Sequence, residues 1–177
     1  MAWLVAIATF LFRAGVVIAF AVVIFAVTVQ VVSRNFLPFS PAWTEELTRF
    51  ALLYLAAFGI GLAYRSGDLV NIDIALQAMP ERLGWMLRLL GAVIVCGLAV
   101  LLIEPAWRFV SIGRIQTSPV LGIRMTWSHA ATVVLLAGLA IFSALRVLEM
   151  LAGRSDGRPV PLDGSETQPP TLPNAPG

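Results

Sequence analysis

The sequence predicts an all-α, polytopic membrane protein with four transmembrane helices and one short interfacial helix. Three observations predict it. Apolar residues make up 59% of the 177 residues and charged residues only 12%, against about 45–50% and about 25% in a soluble domain; the mean hydropathy is +0.88. The apolar residues gather into long runs, and crossing about 30 Å of hydrocarbon takes about 20 helical residues at 1.5 Å each. Four of the five tryptophans, Trp43, Trp85, Trp107 and Trp127, fall near the ends of those runs, and Trp3 lies in the N-terminal stretch. That spacing is the aromatic belt of a membrane protein.

The first helix is expected over about 14–33. Ala14–Val32 carries no charge and is closed by Ser33, Arg34 and Asn35. Residues 1–13 form an apolar stretch ended by Arg13, which reads as a membrane-interface anchor. A signal peptide would place its positive charge before the apolar core and end in small residues, so the first helix is expected to be retained. The second helix is expected over about 41–64. Phe50–Tyr64 alone is short, but Ser40 and Pro41 have the chemistry of a helix cap and first helical position. Glu45 and Glu46 then lie in the opening turns, where they complement the helix dipole. The third helix, about 83–112, is built on the run Leu89–Ile103. Arg88 can snorkel at one end, and Pro105 can kink the helix after Glu104. The fourth helix, about 125–150, has Met125–Leu145 as its charge-free run. Gly59 and Gly61 in the second helix, and Gly91 and Gly97 in the third, are expected to permit close helix approach.

Between the second and third helices, Leu69, Ile72, Leu76 and Met79 share one helical face, which predicts an interfacial helix over about 69–79. Gly113–Arg124 forms the last connector, with Pro119 and Gly122 as turn residues. Residues 153–177 hold six of the eleven prolines and four glycines with no apolar periodicity. They read as a disordered tail on a four-helix domain of residues 14–152. Four spans put both ends of the domain on one side. Seven of the twelve arginines fall on that side and five on the other, a bias toward cytoplasmic termini.

Much chemistry is missing from the sequence. There is no phosphate-binding loop and no G-x-S-x-G nucleophile motif, and a single histidine, His129, rules out a bis-histidine haem. One histidine and one cysteine, Cys96, are too few for a zinc site. The arginines are scattered, unlike the basic face of a nucleic-acid binder. His129 reads as a helix-start residue and Cys96 as a small buried side chain. No catalytic, cofactor-binding or metal-binding residue is expected. The charges that draw attention flank the first connector: Arg34, Glu45, Glu46 and Arg49. Glu45 and Arg49 are four apart in the favourable order for an ion pair. The group reads either as a docking or pathway site or as a headgroup-level cluster anchoring the second helix.

These residues also carry a resemblance. Val29-Gln30-Val31-Val32-Ser33-Arg34-Asn35-Phe36, followed by Trp43-Thr44-Glu45-Glu46-Leu47-Thr48-Arg49-Phe50, resembles the small membrane subunit of tripartite ATP-independent periplasmic (TRAP) transporters, the DctQ type. Arg65-Ser66-Gly67-Asp68-Leu69-Val70-Asn71-Ile72-Asp73 with Met79-Pro80 is similar to that family's second connector. Gln116-Thr117-Ser118-Pro119-Val120-Leu121-Gly122-Ile123 is similar to its third. The chain departs from the family at Asp68, often His there, and at Arg124, often Pro. The resemblance covers about residues 13–150. It implies a non-catalytic subunit of a bacterial inner-membrane complex that takes up organic acids on a sodium gradient. Its implied partners are a large multi-spanning transport subunit, a periplasmic substrate-binding protein and membrane lipid, with no nucleic acid and no cofactor. Arg34, Trp43, Glu45, Glu46 and Arg49 become candidates for subunit contact or docking, with Arg13, Trp85, Trp107 and Trp127 as membrane-interface anchors. The alternatives are a stand-alone structural or assembly-type membrane protein and an intramembrane enzyme or redox subunit.

Overall fold

The computed structural model describes residues 2–36, 41–66 and 80–152. They form four helices: α1 Ala2–Phe36, α2 Ala42–Ser66, α3 Glu81–Ile112 and α4 Thr126–Leu151. All four are long and apolar enough to cross a membrane. The backbone has no break at residue 13: α1 runs unbroken from Ala2, twelve positions before the expected start. Arginine is a good helix former, so Arg13 interrupts the hydropathy without interrupting the helix. Likewise α3 continues through Pro105. The expected cap Ser40, the interfacial helix at 69–79 and the tail at 153–177 lie outside the described residues.

The helices stand in the order α1, α2, α4, α3, each packed on the next. The inner helices α2 and α4 bury 28% and 22% of their most apolar windows, and the outer helices α1 and α3 bury 11% each. In hydrocarbon, leucine gains little by leaving lipid for protein, so helices associate by close approach at small residues. The buried positions follow that rule. Ala19, Ala26 and Ser33 of α1 are seven apart, as are Ala92, Ala99 and Ala106 of α3. This is the period of a supercoiled helix seam.

The largest side chains meet near the end that carries the termini. Leu62, Tyr64 and Phe142 are buried there against Ala8, Phe12, Val16, Val95 and Leu139. The Phe12 ring packs edge-on against Phe58 and Phe142, with centroids 5.6 and 5.2 Å away. It seats in a notch left by Gly61 and Gly138, where a Cβ would stand 3.1 and 2.5 Å from its ring. Of the glycines expected to allow close approach, only Gly61 does. Gly59, Gly91 and Gly97 face open space, because they lie off the small-residue seams.

Two polar levels frame the bundle. At one, Arg65 of α2 donates to the hydroxyl of Thr9 and, at 3.4 Å, to the carbonyl of Val5 in α1. At the other, Gln30 of α1 meets Glu45 of α2. From Glu45 to Arg65 is twenty positions, about 30 Å of helix, which is the thickness of the hydrocarbon. By this measure Arg13 lies one turn inside the lipid boundary, from which its stem reaches the headgroups.

Gly113 closes α3 where the backbone of α4 begins. A Cβ there would meet the Thr126 nitrogen at 2.6 Å and the Met125 carbonyl carbon at 2.9 Å, and backbone cannot rotate away. We expect Gly113→Ala to cost about 1–3 kcal/mol and Gly97→Ala to be near neutral. Melting temperatures of the purified variants in one detergent check this.

Candidate functional site: the connector end of the bundle

The candidate residues converge on one end of the bundle, where α1 and α3 finish and α2 and α4 begin. Glu46 is the organising group. Although charged, it is only 8% exposed. Its Oε2 accepts a hydrogen bond of 2.8 Å from the Leu121 N–H, seventy-five positions away. The Ser118 hydroxyl and the Val120 amide turn toward the same carboxylate. Ser118 is itself buried, and its hydroxyl also accepts from the Leu121 N–H at 3.3 Å. Three donors on one short loop thus face one carboxylate near the start of α2, where the helix dipole favours a negative charge.

The connector can present these donors because it is a closed turn. The Ser118 N–H donates to the Ile123 carbonyl at 2.8 Å and the Met125 N–H to the Gln116 carbonyl at 2.9 Å. Thr117 and Arg124 form an isolated antiparallel bridge. Gly122 has φ +65°, a left-handed conformation that costs glycine little and other residues more. The turn therefore depends on Gly122 for its shape and on Glu46 for its attachment.

Glu45 behaves differently. It is exposed, and its Oε1 accepts a long bond of 3.5 Å from Gln30 of α1. The expected Glu45–Arg49 ion pair does not form. Glu45 points to α1, and Arg49 acts electrostatically on the Glu46 carboxylate instead. Arg49 is exposed, as is Arg34 in the last turn of α1. Trp43 is 36% exposed. Between Trp43 and Glu45, Thr44 is fully buried and its hydroxyl donates to the Pro41 carbonyl at 2.7 Å. The five candidates thus divide into one buried organiser and four side chains on the surface of the same end. Among the anchors, Arg13, Trp107 and Trp127 are exposed and Trp85 is half-buried.

Two further ties escaped the sequence reading. The Tyr54 hydroxyl donates to the Trp127 carbonyl at 2.7 Å, joining α2 to α4. His129 stacks on Phe109 with centroids 3.9 Å apart, and its Nδ1 lies 3.0 Å from the Phe109 carbonyl, joining α4 to α3. Both use a main-chain carbonyl near a helix end, which sequence does not reveal as a partner. Half-buried Cys96 is a free thiol. Among the described residues, no three His, Cys, Asp or Glu side chains gather as metal ligands would.

These contacts rank three substitutions. Glu46→Ala leaves the Leu121 N–H without its acceptor, so we expect the greatest loss of thermal stability and faster proteolysis within residues 113–125. Glu46→Gln keeps an acceptor oxygen and loses less, and Glu45→Ala stays close to the parent. Melting curves with limited proteolysis measure the order.

Known proteins carry the same pattern. The family model for tripartite ATP-independent periplasmic transporters, DctQ component, matches residues 23–153. A Haemophilus influenzae protein named as a TRAP transporter small permease is 25% identical over 118 residues, which is 67% of this chain and 72% of that protein. The matched residues take in the second half of α1, all of α2, α3 and α4, and the connector that Glu46 holds. The chain belongs to the DctQ component family of TRAP transporters.

Proposed function

We propose that this small membrane subunit serves a sodium-coupled, binding-protein-dependent transporter for organic acids, where it steadies the large transport subunit and helps to dock the periplasmic binding protein. The family match over residues 23–153 carries the reading. The distribution of charge supports a supporting role. Substrate and ion pathways place ionisable groups inside the bundle, whereas the buried positions midway along α2 and α4 here are Ala51, Ala57, Gly61, Ala131, Leu136 and Gly138.

The arginine bias favours an inner-membrane orientation with both ends of the bundle's chain in the cytoplasm. The Glu46-held connector then faces the periplasm, within reach of a binding protein. Glu46 contributes through the shape of that connector, and Trp43, Glu45 and Arg49 through its rim.

Two outcomes test the proposal. Deleting the chain abolishes sodium-dependent uptake of the organic acid and is complemented in trans. Replacing Glu45, Glu46 and Arg49 together with glutamine lowers the maximal uptake rate and leaves the sodium concentration for half-maximal uptake unchanged. A shifted sodium dependence in an intact complex overturns the docking role. A reporter fused after residue 177 should be active in its cytoplasmic form only.

A further inference from the structure

The outer face of α3 carries an ion pair where lipid is expected. Arg108 donates to Glu104 Oε1 at 2.6 Å, and the two side chains are 77% and 74% exposed. Their depth follows from the contacts of α3. Phe109 stands level with His129 of α4, and Val95 packs on the cluster that contains Phe142. Since α3 and α4 are antiparallel, the Phe109–His129 contact sets Glu104 opposite Val134, and the place of Val95 agrees. Val134 lies at the middle of α4's charge-free run, Met125–Leu145, about 31 Å long. Measured on α4, Glu104 therefore sits near the midplane, with Arg108 about 6 Å nearer the connector end; Trp107, between them, then lies within the hydrocarbon and not at the interface expected for it.

The arginine does not escape this position. A helical side chain leans toward its own helix N-terminus, and in α3 that direction leads away from the nearer headgroups. Arg108 reaches back to Glu104 instead of snorkelling outward. The pair lies in a stripe with Gly97 and Leu101. Leu101 is 70% exposed, and a Cβ on Gly97 would meet nothing within 4 Å. An ion pair facing hydrocarbon keeps its desolvation cost with no further donors or acceptors to offset it. An apolar lipid-facing surface would not hold one.

We propose that this stripe of α3 is an intramembrane docking surface for a spanning helix of the large transport subunit, one with hydrogen-bonding or charged side chains at the depth of Glu104 and Arg108. The inference rests on the transporter reading above and adds the face through which the two subunits meet. Gly97 admits close approach of the partner backbone, and the ion pair sets the register. Lipid cannot satisfy the remaining oxygens and N–H groups of the pair, while a polar spanning helix can.

The test uses the full chain in native membranes with its transporter genes intact. A benzophenone amino acid at Leu101, in an otherwise unchanged chain, should crosslink to a large multi-spanning protein on illumination. The double variant Glu104→Leu, Arg108→Leu should still accumulate in the membrane, since leucine suits lipid, while co-purification of the large protein falls by about an order of magnitude. Undiminished co-purification by an accumulated double variant overturns the proposal. So does a Leu101 crosslink that yields only lipid adducts or a second copy of this chain. If the double variant does not accumulate, the crosslink decides. If the unchanged chain purifies with no large membrane protein, the transporter reading itself fails, and the docking face with it.

Discussion

Hydrocarbon offers these helices no reward for hiding leucine, and the architecture follows from that constraint. What holds the bundle is the number of atoms that helices bring into contact, which grows as their axes approach. Small residues supply the approach. Alanines and a serine recur every seven positions on the buried faces of α1 and α3, and Gly61 and Gly138 open α2 and α4 for one ring, Phe12. Phe12 touches aromatic rings of both inner helices, so one α1 side chain joins three of the four helices. The large exposed residues Phe10, Phe20, Phe25, Leu90 and Leu101 look outward, as a lipid-facing surface requires.

How much of this could be read from the sequence depended on contrast. Spans stand out because long apolar runs differ from what separates them, and the four helices were legible for that reason. The start of α1 was not, because Arg13 changes hydropathy without changing helix geometry. The alanine seams were invisible for the opposite reason: Ala92, Ala99 and Ala106 are apolar residues within an apolar run. Gly59, Gly91 and Gly97 drew the eye because they are glycines, but a glycine permits close approach only on the face that a neighbour occupies. For the connector end, the sequence pointed to residues that the fold does bring to one end of the bundle, and to one pairing that does not form. The rule that pairs Glu45 with Arg49 treats a helix as isolated, and here α1 takes one carboxylate and the α3–α4 connector takes the other.

Four of the tertiary polar contacts share a form. Glu46 accepts from the Leu121 amide, Tyr54 donates to the Trp127 carbonyl, His129 meets the Phe109 carbonyl, and Arg65 reaches the Val5 carbonyl. In each, a side chain meets a main-chain group near a helix end or in a connector. An amide outside a helix has no helical acceptor and is costly near lipid when unsatisfied, so the Glu46 tie removes a cost as well as joining elements. The two sequence stretches that carry the family resemblance at this end, around Glu46 and around Ser118, are the two sides of one such contact.

A row of helices one layer thick has a large outer surface for its length of chain. A protein that enclosed a path for ions or acids would need polar groups converging between its helices, and here the mid-helix buried positions of α2 and α4 are alanine, glycine, leucine and phenylalanine, with Glu46, Tyr64 and Ser143 toward the two ends. Of the charges within the membrane region, Arg13 on α1 and the Glu104–Arg108 pair on α3 lie on exposed faces of the two outer helices, and Arg49, one turn in from Glu45, is exposed on α2. That is the reverse of a pathway and the arrangement suited to a subunit that meets others from the side. A flat element of this kind broadens whatever it packs against. On the proposed docking face the specificity lies in the Glu104–Arg108 pair, set into an outward apolar face at one depth and in one register.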